Sequence, residues 1–275
     1  MDHFQIRHER KEIPDHPQRI VSLNPSVTEI LYELGMEDRI AGVSAFCARP
    51  PATSKKRRVG SYGTARSEVL EELNPDLIFV VTGYQEKFYD RFSKRFNVVM
   101  LELPVTVAGI IDLVIRVGNA VSKVREAKAL ARSLIRSLPD PIDSAVSGYF
   151  EIDLGGPVSF GRHSHITDAL SMYGFDSIYG NENKEWLKPD DNFLFSRDPE
   201  VIIYEPKMYS KFTDKSLQKL IDGRGWNRLS AWKAGKLFVT PGPLDFFAHH
   251  GPSFIREVLP WLSSIMQSVS GTSRS

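Results

Sequence analysis

Short apolar runs alternate with amphipathic segments through the first third of the chain. Residues 19–23 (RIVSL) form an apolar run that is typical of a buried strand, and the apolar positions of residues 26–35 then follow helical spacing. Ser26 is expected to cap this helix and Gly35 to end it. Similar apolar runs, each predicted to be a strand, lie at residues 39–44, 76–82 and 98–103.

The same alternation returns in the second half of the chain, after Pro139. Strands that alternate with helices predict a parallel sheet with helices packed on its faces. We therefore expect a second sheet of this kind. Its predicted strands are residues 147–152, 201–204 and 237–240, and its predicted helices are residues 165–173 and 254–266.

The segment between these halves has a different pattern, because residues 107–138 keep a helical period over their whole length. One continuous helix here would be about 45–50 Å long at about 1.5 Å per residue, too long for a crossover inside one small domain. We therefore predict an α/β fold of two Rossmann-like lobes with parallel sheets, residues 17–104 and 140–266, joined by one long backbone helix in residues 105–139. Two helices broken near Gly118 are the alternative.

The two halves repeat each other weakly. Residues 26–35 (SVTEILYELG) align without gaps on residues 165–174 (HITDALSMYG). Likewise, residues 74–80 (NPDLIFV) align on residues 198–204 (DPEVIIY). A pattern shared by two separate stretches indicates two similar α/β lobes.

One aromatic residue takes the same place in each repeat. Tyr62 and Trp186 lie at equal distances before the proline of the second aligned stretch. Ligand pockets favour domain interfaces and the carboxyl ends of parallel strands, and a planar apolar ligand gains from aromatic faces. The repeat therefore predicts a cleft between the lobes in which Tyr62 and Trp186 contact a ligand.

The composition is that of a soluble globular protein, with 275 residues of which 41% are hydrophobic and 25% charged. Lys and Arg total 35 and Asp and Glu 34, and this balance argues against a nucleic-acid-binding protein. The first twenty residues contain no signal-peptide core, and no stretch has the ~20 apolar residues of a membrane span. As the chain is written we expect a cytoplasmic protein, and an extracytoplasmic or membrane-associated one if a leader was removed.

The sequence lacks the motifs of several common enzyme classes. GxSxG, GxxxxGK[ST], GxGxxG and HExxH do not occur. The single cysteine, Cys47, excludes an intramolecular disulfide and a zinc site made of cysteines alone. We expect a binding protein with no catalytic residues and no required cofactor, rather than an enzyme.

Four stretches carry a resemblance to a known family: RIVSLNPSVTEILYELG, VGSYGTARSEVLEELNPDLI, FGRHSHITDALSMYGFDSIYGN and GWNRLSAWKAGKLFVTPG. In them the chain resembles the class III substrate-binding proteins of ABC importers, which receive cobalamin, haem or iron–siderophore chelates. The resemblance runs from about Pro17 to Leu262. It is closest to the cobalamin-binding branch, through residues 42–51 (GVSAFCARPP) and the aromatic residues Tyr62 and Trp186.

The resemblance implies a monomeric receptor that captures a metal chelate for an ABC permease. The ligand would be cobalamin or another corrinoid, with haem or a ferric siderophore as runner-up, and Tyr62 and Trp186 would flank the corrin. The family docks its permease through one acidic residue on each lobe. Glu68 matches the first position, whereas the second is Asn192, so that Asp191 or Asp190 beside it would substitute, with Asp191 preferred. Loops at strand ends would supply the remaining ligand contacts, namely Ser26, Phe46, Cys47, Tyr84, His163 and Phe246.

Two other functions remain open at this point. A leaderless cytoplasmic protein could store, deliver or process a chelate or corrinoid without a permease partner. Alternatively, free metal could bind through Cys47 and the histidines, among them His163, His165, His249 and His250. The basic run at residues 55–58 is interpreted as a solvated loop rather than a phosphate or lipid site.

Overall fold

The computed structural model describes residues 13–271, which divide into two compact units. Each unit has its own sheet and its own hydrophobic core. The first unit comprises the described residues up to 104, with Ala108–Ser137 and His250–Pro252, and the second comprises Val105–Val107, Leu138–His249 and the described residues from 253 onward.

The first unit contains a five-stranded sheet in the described part of the chain, and all of its pairings are parallel. The strand order is β3-β2-β1-β4-β5, so the chain starts in the middle and builds outward in both directions. Every residue of β4 (LIFVV) is buried, as expected for an inner strand of a parallel sheet. The strands are β1 (Ile20–Ser22), β2 (Ile40–Ser44), β3 (Arg57–Gly60), β4 (Leu77–Val81) and β5 (Val98–Leu101).

Three short helices follow strands of this sheet: α1 (Pro25–Glu33), α2 (Ser67–Leu73) and α3 (Glu86–Phe92). The cap of α1 differs from the sequence prediction, because Asn24 takes this position instead of Ser26. Asn24 has an extended backbone, and its Oδ1 accepts hydrogen bonds from the backbone N–H groups of Ser26 (2.9 Å) and Val27 (3.1 Å). Pro25 fits the first helical position, which needs no N–H donor.

The predicted single long helix is wrong, and the alternative of two helices is correct. Residues 107–136 form α4 (Val107–Ala120) and α5 (Val124–Arg136). The chain turns between them at Ser122, which has a left-handed φ of 57°. Gly118 permits the turn, since a β-carbon there would lie 2.2 Å from Cβ of Ala127 in the first turn of α5.

The second unit contains a six-stranded sheet of order β11-β10-β6-β7-β9, with β8 paired to β6, within the described residues. Strands β6, β10 and β11 are parallel, as predicted, and β8, which was not predicted, also pairs in parallel with β6. Strands β7 and β9 break the prediction of an all-parallel sheet, because β7 is antiparallel to both β6 and β9. The strands are β6 (Val146–Asp153), β7 (Pro157–Phe160), β8 (Phe175–Ser177), β9 (Trp186–Leu187), β10 (Val201–Glu205) and β11 (Leu237–Val239).

A tight hairpin explains the antiparallel pair. Between β6 and β7 the chain reverses over residues 154–156, where Gly155 has a φ of 99° that favours glycine. The carboxylate of Asp153 accepts hydrogen bonds from the backbone N–H groups of Gly155 (2.8 Å) and Gly156 (3.0 Å). So short a connection joins only antiparallel strands.

The helices of the second unit are α6 (His165–Met172), α7 (Asp191–Arg197), α8 (Asp214–Arg224), α9 (Ser230–Lys233) and α10 (Leu259–Ser270). The predicted last helix begins as a π-helical turn over Phe254–Val258, just before Pro260 in α10. Among residues 13–271, no helix combines the length and the apolar character that crossing a bilayer requires.

The repeat in the sequence corresponds to a repeated local structure. Helices α2 and α7 both end at a residue in the left-handed region, Asn74 (φ 42°) and Asp198 (φ 40°). In each case a proline comes next and a buried strand follows, β4 in the first unit and β10 in the second. Asn and Asp are the residues other than glycine that tolerate this conformation best.

Two helical glycines give a matched test of this packing. Gly118→Ala should lower the free energy of unfolding by about 1–3 kcal/mol, because the added methyl group overlaps Ala127. Gly223→Ala in α8 should raise it by about 0.5–1 kcal/mol, because a β-carbon there meets no atom within 4 Å and alanine favours the helix. Urea unfolding of both variants measures the difference; equal effects would contradict the close approach at Gly118.

Candidate ligand-binding site

The residues that follow the strands of the first sheet meet at one edge. The carboxyl ends of parallel strands lie together, and this edge is where α/β proteins usually bind ligands. Asn24 follows β1, Phe46 follows β2, Tyr62 follows β3 and Tyr84 follows β4. Three of the predicted ligand contacts therefore come from neighbouring loops.

Phe46, Tyr62 and Tyr84 form an aromatic cluster, called here the first aromatic cluster. The ring centroids of Phe46 and Tyr62 are 6.3 Å apart with an interplanar angle of 86°, and those of Tyr62 and Tyr84 are 6.2 Å apart at 35°. Phe46 is 41% exposed and Tyr84 78% exposed, while Tyr62 is half-buried between them. A contiguous exposed group of aromatic rings is typical of a binding surface.

Buried amide side chains hold Tyr62 in place. Nδ2 of Asn24 donates to the Tyr62 hydroxyl at 3.3 Å. Nε2 of Gln85 donates to the backbone oxygens of Tyr62 (2.5 Å) and Leu23 (3.2 Å), and its Oε1 accepts from the Val81 N–H (2.8 Å). Gln85 is completely buried. Asn24 and Gln85 both lie in loops at strand ends, residues 24–26 and 83–85, where the sequence predicted ligand contacts, but the sequence assigned no role to either side chain.

Tyr84 depends on a neighbouring glycine. A β-carbon at Gly63 would lie 2.5 Å from Cε1 of the Tyr84 ring. The ring of Tyr84 therefore covers the Gly63 backbone, which fixes one side of an otherwise exposed side chain. Here a glycine is required by close approach.

Two neighbouring histidines, His249 in the second unit and His250 in the first, are buried. Both His249 and His250 are nearly inaccessible to solvent. Nδ2 of Asn24 lies 3.3 Å from Nε2 of His250. Since Oδ1 of Asn24 is fixed as the acceptor of the helix cap, its Nδ2 must donate and His250 Nε2 must accept.

Two predicted contacts of the first unit are also buried. Cys47 is completely buried, and its sulfur lies 3.1 Å from Thr28 Oγ1 and 3.2 Å from Ser44 Oγ. Burial raises the pKa of the Cys47 thiol, which opposes its use as a thiolate ligand. Ser26 is completely buried, and its hydroxyl has no hydrogen-bond partner among the described residues. Neither side chain is accessible to a ligand as the structure stands.

One arginine of the basic run at residues 55–58 also serves this loop. Nη1 of Arg58 donates to the backbone oxygens of Ser44 and Cys47, both at 2.9 Å. Lys56 donates to the Glu37 backbone oxygen, and Arg57 pairs with Glu72. The run thus makes local structural contacts.

In the second unit, Trp186 lies on the edge strand β9 and is 60% exposed. It pairs across the ladder with Phe160, the last residue of β7. His163 follows in the next loop, exposed, with Nε2 2.7 Å from Oδ1 of Asn183. The N–H of Gly161 donates to the Glu185 backbone oxygen at 3.1 Å, which ties the two loops together. Trp186, Phe160 and His163 are called here the Trp186 surface.

Phe246 does not belong to an exposed surface. It is 6% exposed and packs edge-on against Trp261 and Phe247, with centroids 5.5 and 5.8 Å away. The buried carboxylate of Glu205 holds this loop, because it accepts hydrogen bonds from the backbone N–H groups of Phe246 (2.8 Å) and Phe247 (2.7 Å). Burial raises the pKa of Glu205 to about 8, against the opposing effect of these two donors.

The two predicted docking acids have different surroundings. Glu68 is exposed in the first turn of α2, where its negative charge interacts favourably with the helix dipole. Asp191 starts α7 and accepts from Nη2 of Arg224. Arg224 also pairs with the buried Glu151, at 2.7 Å from Oε2, and its guanidinium lies 4.5 Å from the Trp226 ring centroid. This buried ion cluster was not found from the sequence.

Metal ligands are not grouped in the described part of the chain. Within residues 13–271, no cluster of three or more His, Cys, Asp or Glu side chains has a geometry that could hold a metal ion. The interpretation of free-metal binding through Cys47 and the histidines therefore has no structural support.

A comparison with protein families decides the class of this molecule. The model of the periplasmic binding protein family matches residues 20–244. The chain belongs to the periplasmic binding protein family. The resemblance found in the sequence is thus confirmed, and so is the prediction of a binding protein rather than an enzyme.

Individual members of this family match along much of the chain. A cobalamin-binding protein of Halobacterium salinarum is 23% identical over 203 residues, 70% of this chain and 54% of the relative, so the chain spans about half of that protein's length. An uncharacterized ABC transporter substrate-binding lipoprotein of Bacillus subtilis is 24% identical over 268 residues, 92% of this chain and 81% of that protein.

A solved structure confirms the fold. The periplasmic vitamin B12 binding protein of Vibrio cholerae superimposes with a TM-score of 0.72 at 16% identity, covering 94% of this chain and 99% of that one. The α/β architecture with two units is therefore the fold of this family.

Replacement of Arg224 should show how much the ion cluster contributes to the free energy of unfolding. Arg224→Met should lower the free energy of unfolding by about 3–5 kcal/mol, because it leaves the buried carboxylate of Glu151 unpaired. Asp191→Asn should cost less than about 1 kcal/mol, because that carboxylate is partly exposed. Chemical unfolding measures both, and adding Glu151→Gln to Arg224→Met should recover part of the loss. No recovery would argue against an unpaired charge as the cause.

Glu205 should make the stability depend on pH. Its folded pKa of about 8 lies above the usual glutamate value of 4.5, so the folded state binds the proton more tightly. The stabilisation is complete below about pH 4.5 and is lost as the pH rises through 8, with a slope approaching about 1.4 kcal/mol per pH unit.

The Glu205→Gln variant isolates this effect, since the amide does not titrate. The free energy of unfolding of the wild type minus that of the variant should fall from pH 5 to pH 9, as measured by urea unfolding at each pH. Glu200→Gln, at an exposed position just before β10, is the control and should show no such trend. A difference that grows with pH would mean that the two backbone donors outweigh burial.

Proposed function

We propose that this chain is a binding protein that captures a metal chelate for an ABC importer, with cobalamin or another corrinoid as the first ligand to test. The first aromatic cluster carries the proposal, because it offers exposed rings at the edge where the family's fold brings its loops together. Haem or a ferric siderophore is the second candidate. The cobalamin-binding relative of Halobacterium salinarum supports the corrinoid.

The cluster suits the flat apolar face of such a ligand. Aromatic contacts contribute about 0.5–1.5 kcal/mol each beyond the area they bury. Tyr62 cannot turn freely, since Asn24 holds its hydroxyl and Gln85 holds its backbone. A surface ordered before binding loses less entropy when the ligand arrives. Trp186, the other aromatic residue that the repeat predicts to contact the ligand, stays a predicted contact and is tested separately below.

The compartment and the partner follow from the same class. We propose that the protein acts outside the cytoplasmic membrane and delivers its ligand to a permease through Glu68 and Asp191. The lipoprotein relative of Bacillus subtilis, an ABC transporter component by name, supports this assignment. The alternative of a cytoplasmic storage, delivery or processing protein gains no support from the relatives described above.

Of the two proposed docking acids, Glu68 is the better placed. It is exposed on α2, whereas the Asp191 carboxylate is shared with Arg224. A cationic side chain of a permease would have to compete with Arg224 at Asp191. Glu68 forms no ion pair with any of residues 13–271, so no such competition arises on α2.

Titration with cobalamin tests the proposal, followed by tryptophan fluorescence and by calorimetric heat together. Tyr62→Ala and Trp186→Ala should each weaken binding roughly tenfold, corresponding to about 1.4 kcal/mol of lost ring contact. Ile135→Ala, which shortens an exposed apolar side chain on α5, is the control and should bind like wild type. If cobalamin, haem and ferric siderophores all fail to bind the wild-type protein, the proposed function is wrong.

A further inference from the structure

A loop of the second unit has features that the proposed site leaves unexplained. Residues 206–212 follow the carboxyl end of β10, an inner strand between β6 and β11, and they are called here the Tyr209 loop. Lys207, Tyr209, Ser210 and Lys211 are exposed in this loop. The loop therefore presents an aromatic ring between two cationic side chains at the edge of the sheet where this fold binds ligands.

Tyr209 has an unusual backbone conformation. Its φ of 62° lies in the left-handed region, which is sterically unfavourable for a residue with a bulky side chain. Such conformations persist only where the surroundings impose them, and they concentrate at functional sites. The side chain is 60% exposed, so packing in the core does not explain why a tyrosine occupies this position.

Fixed contacts on both sides impose the conformation. The Tyr209 N–H donates to the Pro243 backbone oxygen at 2.6 Å, and the Ser210 N–H donates to the Lys207 oxygen at 2.9 Å. The end of the loop is anchored by Phe212, whose ring lies 5.4 Å from that of Tyr204 in β10. The backbone of the loop is thus held by the protein, while the Tyr209 side chain remains 60% exposed.

The charge of the loop is entirely positive. Residues 206–212 (PKMYSKF) include two lysines and no acidic residue, in a chain whose net charge is only +1. An ammonium group binds carboxylates and phosphates as a point charge. The loop therefore matches a ligand with a flat apolar body and acidic groups at its periphery.

We propose that the Tyr209 loop determines ligand specificity. Tyr209 contacts the ring system of the bound chelate, and Lys207 and Lys211 bind its peripheral acids. This inference rests on the proposed function and goes beyond it, because it names an acid-bearing chelate as the ligand class. The acid is the phosphodiester of cobalamin or the carboxylates of haem, and the two sources share the same chemistry.

Paired ligands test the role of the lysines in the full chain. Cobalamin is compared with dicyanocobinamide, a neutral corrinoid that lacks the phosphodiester together with its ribose and base, and haem with haem dimethyl ester, which lacks the free carboxylates. The Lys207→Ser, Lys211→Ser double variant should weaken binding of the acidic member of the binding pair by roughly tenfold and leave the neutral member unchanged. The control is Lys215→Ser with Lys219→Ser in α8, which removes the same charge from exposed positions and should change neither ligand.

Substitution of Tyr209 by glycine distinguishes a role in ligand binding from a purely structural role. Tyr209→Gly relieves the backbone strain, so the urea midpoint should rise while the affinity for the chelate falls. A purely structural tyrosine would give the opposite change in stability.

The outcomes are distinct. Wild-type affinity in both loop variants, or equal losses for acidic and neutral ligands, overturns the role of the Tyr209 loop while the proposed function stands. Failure of all four ligands to bind the wild-type protein overturns the proposed function and this inference with it.

Discussion

The side chain of Asn24 connects the fold of the first unit to its candidate site. Its oxygen caps α1, and its nitrogen reaches both the hydroxyl of Tyr62 and the ring of His250. One carboxamide therefore uses its acceptor to start a helix and its two donors to orient surrounding rings. Because the cap fixes which atom is oxygen, the direction of the remaining hydrogen bonds is fixed as well. Local backbone geometry at the end of β1 thus sets the position of an aromatic ring in the site.

In the second unit, buried charged groups fix the positions of a helix and a loop. Two buried carboxylates stand on neighbouring inner strands, Glu151 on β6 and Glu205 on β10. The first is paired with Arg224, and the second accepts backbone N–H groups of the loop that contains Phe246. A buried carboxylate is costly unless its oxygens are satisfied, so each one constrains the segment that satisfies it. The helix α8 and the loop after β11 are held in this way.

The main lines of the fold were predictable because they follow from periodicity. The apolar run LIFVV of β4 and the repeat that ends α2 and α7 left direct traces in the sequence. The break between α4 and α5 left none that periodicity detects, since apolar positions continue through Ser122. The position of Gly118 was a cue, but the short distance to Ala127 that makes it decisive exists only in three dimensions.

The candidate site was predictable in part for the same reason. Position after a predicted strand pointed to Phe46 and Tyr84, and the internal repeat pointed to Tyr62; the structure shows that the three rings form one cluster. Position after a strand could not distinguish those rings from Phe246, which occupies an equivalent kind of loop but is buried against Trp261. Nor could it find the pair of Glu151 and Arg224, because residues far apart in sequence and unrelated by any repeat carry no local signal. The left-handed conformation of Tyr209 likewise could not be predicted from the sequence.

The complete burial of Cys47 gives the molecule a built-in reporter. The chain has one thiol, and it is sealed behind β1 and β2, hydrogen-bonded to Thr28 and Ser44. A thiol reagent can reach it only when the first unit opens, so the labelling rate records local unfolding of that unit alone. The exposed indole of Trp186 belongs to the second unit. The opening of the first unit can therefore be followed by the rate of thiol labelling, while the second unit is followed by tryptophan fluorescence.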